Sequence, residues 1–257
     1  MEIRIREGDL IALVLEGKRG RRCHLVKASS NVQYVKGVGR IDALVGKRYG
    51  TALALSGGER LMMVPALEDL ICSFRREAQM ITPKDSWFIL FLADVRDGSR
   101  VVEIGSGSGG MAFALANAVG GRGRVYSYDK DGKNIKIAEE NISKTPFGDR
   151  IEFKMGDCSR SIEERDVDAV VADIPDPWAV VDNSYSALKP CGSFVSYVPT
   201  FNQLGPLAKA MEGKFGLVDT YEILERGISV KEGAIRPKDF FPHTGYITRG
   251  RKLSDTG

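Results

Sequence analysis

The 257-residue sequence has few cysteines, no long apolar run and no excess of one charge sign, and each lack excludes something. Its four cysteines, Cys23, Cys72, Cys158 and Cys191, are scattered and form no C-x-x-C pair. That argues against a zinc site or a compact disulfide framework and fits a reducing cytoplasm. The longest strongly apolar stretch, residues 87–93, falls far short of the roughly 20 residues that a membrane span needs. The first six residues alternate charged and β-branched side chains, and no apolar signal core follows. The expectation is a protein that is neither secreted nor membrane-bound. A formal net charge of +3 excludes a uniformly basic surface. No internal repeat or low-complexity tract stands out.

What is present is an ordinary globular composition, 43% apolar and 28% charged, enough for one large domain and a small one. Charge is unevenly placed. Residues 1–72 carry a balance of +4, residues 73–225 a balance of −5, and residues 226–257 again +4. A nucleic-acid partner would meet the ends, although solvated surface charge is the plainer explanation. The cluster Lys18-Arg19-Gly20-Arg21-Arg22, in an expected hairpin turn, suits phosphates on the same terms.

Residues 1–70 read as a small domain of short strands, at 10–15, 23–26, 32–35, 51–55 and 61–64, between glycine-containing turns. A small β-barrel or sandwich is expected there. Residues 66–93 look helical in pieces, divided at Thr82-Pro83. Strands at 101–104, 124–128, 151–155, 169–172 and 194–198 then alternate with helices at 111–119, 132–142, 180–188 and 203–211. That alternation implies βαβ units and a parallel sheet, the α/β class, over a second domain of residues 71–257. Residues 217–224 and 245–248 read as strands, expected as antiparallel additions at a sheet edge.

The chemistry sits at strand ends. Glu103-Ile104-Gly105-Ser106-Gly107-Ser108-Gly109-Gly110 is a strand entering a glycine-rich turn before a helix. It satisfies the dinucleotide fingerprint G-x-G-x-x-G, so a nicotinamide cofactor must be considered. Glu103 favours S-adenosylmethionine instead. A carboxylate two residues before the first glycine suits the amino end of a methionine moiety and would repel a pyrophosphate. Asp129 ends the next strand at a spacing suited to ribose hydroxyls, with a helix N-cap as the alternative. Asp157 follows the third strand and could accept from an adenine amino group, or simply stabilise a turn. Asp173-Ile174-Pro175-Asp176-Pro177-Trp178 places a carboxylate at the end of a buried strand, followed by a loop stiffened by two prolines. Trp178 offers a face for a base. Adenine N6-methyltransferases carry a related loop shorter by two residues.

Glu103-x-Gly105-x-Gly107-x-Gly109 resembles the first motif of class I (Rossmann-like) S-adenosylmethionine-dependent methyltransferases. Gln79-Met80-Ile81-Thr82-Pro83-Lys84-Asp85, the Asp173–Trp178 loop, Tyr197-Val198-Pro199 with Asn202-Gln203, Arg236-Pro237 and His243-Thr244-Gly245-Tyr246-Ile247-Thr248 follow in order. Together with Arg6-Glu7-Gly8-Asp9 they resemble the TrmI-type tRNA (adenine-N1)-methyltransferases over nearly the whole chain. The resemblance implies methyl transfer to a T-loop adenine of tRNA, at position 58 or also the preceding one, by a homotetramer with a small β domain before the catalytic one. It implies Asp173 as the catalytic group. Gln79, Glu103, Gly105, Gly107, Ser108, Gly109, Asp129 and Asp157 would hold the cofactor, with Asp85 helping to cover it. Trp178, Tyr197, Arg236 and His243 would contact the substrate, unless His243 with Thr244 serves as structural support. Two rival expectations stand beside it: a methyltransferase acting on a small molecule such as a corrin precursor, and a non-enzymatic RNA-binding paralogue.

Overall fold

Glycine punctuation and alternating apolar residues turn the first third of the chain into hairpins. The computed structural model describes residues 4–17, 20–55, 58–77, 79–231, 233–238 and 243–254. Two compact units emerge, Met1–Arg75 and Arg76–Gly257. The first holds β1 (Leu10–Gly17), β2 (Gly20–Lys27), β3 (Gln33–Val35), β4 (Gly39–Ile41), β5 (Ala52–Leu53), β6 (Arg60–Met63) and α1 (Leu67–Cys72). Four strands make an antiparallel sheet in the order β2-β1-β6-β5, and β3 and β4 form a separate ribbon. Among the described residues this sheet is open, with β2 and β5 as its edges. Alternation along β1 sends Ile11 and Leu13 into a core with Val26, Val38, Ile41, Leu44 and Met62. Strands β1 and β2 pair out to Gly17 and Gly20. Of the basic cluster, Lys18 and Arg19 lie outside the described residues, as does the side chain of Arg21, while Arg22 is exposed.

The second unit runs α2 (Pro83–Leu92), β7 (Arg100–Ile104), α3 (Gly110–Val119), β8 (Arg124–Asp129), α4 (Gly132–Ile142), β9 (Ile151–Met155), β10 (Val167–Ala172), α5 (Val181–Ala187), β11 (Leu188–Val198), α6 (Leu204–Met211), β12 (Phe215–Glu222), β13 (Ile228–Lys231), β14 (Ala234–Pro237) and β15 (Tyr246–Lys252). Pro83 opens α2 at its first position, where the missing N–H costs nothing. Seven strands form one sheet in the order β12-β15-β11-β10-β7-β8-β9. Strands β7 to β11 are mutually parallel; β15 runs antiparallel to both β11 and β12. The sequence placed both late strands at an edge. Only β12 is there, because β15 inserts between it and β11. The hairpin β13-β14 was not anticipated; it forms its own two-stranded sheet.

Nearly unbroken burial along β7, β10 and the second half of β11 marks them as strands covered on both faces. Val102, Ile104, Val170, Ala172, Leu188 and Phe194 pack into one core with residues of α5 and α6. Each large buried side chain there contributes about 1.5–3 kcal/mol relative to exposure. The chain leaves β7 toward β8 and β9 on one side, while β10 lies on the other. This reversal opens a crevice at the carboxyl ends of β7 and β10, the usual ligand position in open α/β sheets. Among the described residues, no helix is long and apolar enough to cross a membrane.

Candidate active site

Strand β7 delivers its glycine turn into that crevice. Gly105 has φ +99°, in the left-handed region, and a Cβ there would collide with the backbone carbonyl of Asp173. Only glycine allows the two strand ends to touch. The Asp173 N–H donates to the Ile104 carbonyl at 2.8 Å, and the Gly105 N–H donates to the Tyr128 carbonyl at 2.8 Å. The ends of β7, β8 and β10 are thereby bolted together. Gly109, also left-handed at φ +82°, lets the chain enter α3 against Ala138 of α4. Ser108 is buried; its carbonyl accepts from the Asn141 amide at 2.9 Å and its hydroxyl from the Glu77 N–H at 3.4 Å.

Three carboxylates converge here. Glu103 is fully buried, and its Oε2 accepts from the Ser127 hydroxyl, which in turn meets Ser106 Oγ at 2.7 Å. Among the described residues Glu103 Oε1 has no hydrogen-bond partner. Burial first, and then the charges of Asp173 and Asp129, push the Glu103 carboxyl up to about 8; the Ser127 hydroxyl and the Ala112 amide offset this only in part. Asp173 keeps part of its surface exposed but lies deep among protein atoms, and that burial pushes its carboxyl up to about 7. Among the described residues its carboxylate has no hydrogen-bond donor. Asp129 accepts from the Gly107 N–H at 3.1 Å, the Asp131 N–H at 2.9 Å and the Asn134 amide at 3.2 Å. The cap of α4 is Asp131, which accepts from the Lys133 N–H, so the capping alternative for Asp129 does not hold. Asp129 instead ties the glycine turn to the start of α4.

The remaining candidates are less alike. Asp157 sits at the same sheet edge, but its Oδ1 takes the Ser159 N–H at 3.0 Å and the Ser159 hydroxyl at 2.7 Å. Those two bonds make it a turn-stabilising aspartate in this structure. Gln79 is exposed and precedes Met80, whose sulfur lies 3.1 Å from where a Gly110 Cβ would be, so the segment lies against the start of α3. Asp85 does not face outward as a cover. It is fully buried and accepts from the Thr82 hydroxyl at 2.8 Å and the Lys84 ammonium at 2.7 Å. Lys84 Nζ also donates to the Ile223 carbonyl and to Thr244 Oγ1, both at 2.7 Å.

Tyr197 is built into this wall and does not stand free as a stacking platform. Its hydroxyl donates to the Thr244 carbonyl at 2.6 Å, and Gly245 lies so close that a Cβ would meet the Tyr197 oxygen at 2.6 Å. Burial and the charges of Asp85 and Asp173 push that phenol up to about 12. Both nitrogens of His243 are committed within the protein: Nδ1 to Glu222 Oε1 and Nε2 to the Pro199 carbonyl, each at 2.7 Å. Two acceptors require both ring nitrogens to donate, so the geometry suits the imidazolium, and these bonds raise its pKa. His243 therefore serves as support and has no ring nitrogen left for substrate. Trp178 is half-buried in the loop after Asp173. Arg236 is exposed on β14, and no hydrogen bond among the described residues ties it to the carboxylates. Ser127 was missed, and Lys84 was quoted only as a member of a motif. Ser127 is opposite Glu103 in the β7–β8 register, a pairing that only the fold reveals.

The crevice fits a cationic ligand bearing hydroxyls: an orphaned buried carboxylate oxygen, two further acidic side chains, and a backbone turn that excludes side-chain bulk. S-adenosylmethionine, with its ammonium, sulfonium and ribose, has that chemistry. A family model described as tRNA methyltransferase complex GCD14 subunit matches residues 60–250. The chain is 36% identical to the tRNA (adenine(57)-N(1)/adenine(58)-N(1))-methyltransferase TrmI of Methanocaldococcus jannaschii over 231 residues, 79% of this chain and 82% of that protein. A solved S-adenosylmethionine-dependent O-methyltransferase from Thermotoga maritima superposes with a TM-score of 0.86 at 32% identity, covering 98% of this chain and 96% of that one. The tRNA (m1A58) methyltransferase TrmI of Aquifex aeolicus gives 0.81 at 26% identity, covering 98% and 100%. The fold, the acidic crevice behind the glycine turn and these likenesses agree: the chain belongs to the tRNA methyltransferase complex GCD14 subunit family, on the Rossmann-like scaffold of S-adenosylmethionine-dependent methyltransferases.

Proposed function

We propose that this protein transfers a methyl group from S-adenosylmethionine to N1 of an adenine in the tRNA T-loop, at position 58 and, as in the archaeal relative, the preceding adenine. The observation that carries the reading is Asp173, whose carboxylate has no hydrogen-bond donor among the described residues, held against Gly105 beside Glu103 and Asp129. S-adenosylmethionine supplies an electrophilic methyl when bound. Glu103 would offer its orphaned oxygen to the ammonium end, Asp129 its free lone pairs to the ribose, and Gln79 and Ser108 would flank the turn. Asp157 would accept from the adenine amino group with the lone pairs that Ser159 leaves.

Adenine N1 carries an in-plane lone pair, so the protein has to orient the base and does not have to deprotonate N1. Asp173 would accept a hydrogen bond from the exocyclic amino group. That raises electron density at N1 and stabilises the positive charge that develops on the ring. A carboxyl poised near neutrality suits this role. A T-loop adenine must be flipped out of its stack, which costs a few kcal/mol and calls for aromatic walls. Trp178 would stack, Tyr197 would bound the pocket, and Arg236, exposed on its hairpin, would meet phosphate.

The same reading includes a homotetramer and a cytoplasmic site of action. Supporting assembly, Val230 and Ile235 face each other in register on β13-β14 at 72% and 75% exposure. Exposed apolar patches of this kind mark association surfaces. The N-terminal unit, residues 1–70 by sequence, would add tRNA contact through the basic cluster at residues 18–22.

Incubating unmodified tRNA with labelled cofactor, digesting it under mild conditions and resolving nucleosides by mass spectrometry tests the proposal. The expected product is 1-methyladenosine in the T-loop. Primary N6-methyladenosine would show that the loop works like its shorter relatives. Absence of any methylated tRNA across several substrates would favour the small-molecule reading.

A further inference from the structure

The turn after β11 carries an aromatic ring that folding leaves outside. Phe201 is 70% exposed, yet it is firmly placed. Its ring centroid lies 4.4 Å from that of Tyr246, and the Tyr246 ring lies 4.7 Å from His243. Tyr246 is buried, and His243 is pinned at both nitrogens. Phe201 is thus the outermost ring of a three-ring column rooted in β15. The Thr200–Gln203 turn is closed on itself, with the Thr200 N–H and hydroxyl both donating to Gln203 Oε1 at 3.0 and 2.7 Å.

That turn is also tied to the loop bearing Asp173. Gln203 Nε2 donates to the Pro175 carbonyl at 2.8 Å. Strands β10 and β11 are parallel neighbours, with Ala172 opposite Ser196, so both loops leave the sheet at the same edge. An exposed, pre-ordered ring beside an acceptor loop is what a single-stranded nucleic acid uses as a stacking platform, because every base has a π-face. A rigid platform also loses little entropy on binding. A flipped-out adenine leaves its former neighbours unstacked, and those bases need a partner.

We propose that Phe201 stacks on an unpaired base of the RNA flanking the target adenine and holds the opened loop over Asp173. This rests on the tRNA reading above. It assigns a substrate-positioning role to a residue outside every motif that suggested that reading.

The test uses the full-length protein, tRNA transcript, and a T-arm stem-loop RNA with an abasic site at either nucleotide flanking the target. Phe201→Ala is expected to raise KM for tRNA roughly tenfold, the scale of one lost base stack. Its affinity for S-adenosylmethionine and its melting temperature should match the wild type. Phe201→Trp should restore KM, whereas Phe201→Leu, apolar but without a π-face, should not. On the abasic RNA that matters, wild type and Phe201→Ala should become equal, since the stack is already gone. Wild-type turnover with an unchanged Phe201→Ala, or full rescue by leucine, overturns the stacking role alone. So does an Ala penalty that persists undiminished on both abasic RNAs. Wild-type protein that neither binds nor methylates any tRNA overturns the tRNA reading and this inference with it.

Discussion

Replacing Asp173 by asparagine should make the ligand-free protein more stable while nearly abolishing its chemistry. Burial holds the Asp173 carboxyl at about 7 against 3.8 for an ordinary aspartate. The raised value means that the folded state binds this proton more tightly than the unfolded one. Below pH 4 both states are protonated and the side chain costs nothing. Between pH 4 and 7 only the unfolded state ionises, so stability falls as pH rises; above 7 the full cost is present. At about 1.4 kcal/mol per pKa unit the ceiling is about 4 kcal/mol. Water reaching the exposed part of the side chain screens it, so about 1–3 kcal/mol is expected. Asparagine keeps the shape and the backbone bond to Ile104 but carries no charge, and it relieves Glu103, whose carboxyl feels the Asp173 charge. Urea unfolding of Asp173→Asn and wild type at pH 5 and pH 8, without cofactor, reads the difference. The variant should gain more at pH 8. Its turnover on tRNA should fall by roughly 10²–10⁴, the range for a lost acid–base group. A variant less stable than wild type at pH 8, or a gain identical at both pH values, would refute the reasoning.

The same acidic crevice predicts proton release when S-adenosylmethionine binds near pH 7, because a cation lowers the Glu103 and Asp173 pKa values. Calorimetric heats should vary with buffer ionisation enthalpy, less so in Glu103→Gln, and buffer-independent heat would count against the cluster. Gly105→Ala should cost about 2–4 kcal/mol through its left-handed φ and overpacking against Asp173. It should also slow turnover by roughly 10²-fold by displacing that loop; wild-type urea midpoint and rate would show the contact to be soft. For His243, the raised pKa gives stability that is complete below 6.5 and lost as pH rises through the folded value. Melting temperatures from pH 6 to 9 should therefore fall more steeply for wild type than for His243→Gln, and parallel curves would remove the clamp.

Local pattern was enough to read the βαβ alternation, the glycine turn and the acids at strand ends. Each depends on residues within a few positions of one another: period-two apolar runs, a G-x-G turn, a carboxylate where a strand stops. Pairing and solvent access are different, because they are set by chain segments far apart. The insertion of β15 between β11 and β12 joins Ser193 to Arg251 across the last quarter of the chain, and no local signal specifies that partner. The β13-β14 hairpin hid in the stretch between expected strands, marked only by Val230, Gly233 and Ile235. Glu103 was legible as a motif residue, but its pKa is raised only because the fold buries it and because β10 and β8 bring the charges of Asp173 and Asp129 beside it. Tyr197 was read as a substrate contact, and His243 as a substrate contact or structural support. Tertiary packing spent their polar atoms on Glu222, Pro199 and Thr244, and left Phe201, in no motif, as the ring that faces out. Composition shows which side chains could reach a substrate; only the folded surface decides which of them still have a free face or a free lone pair.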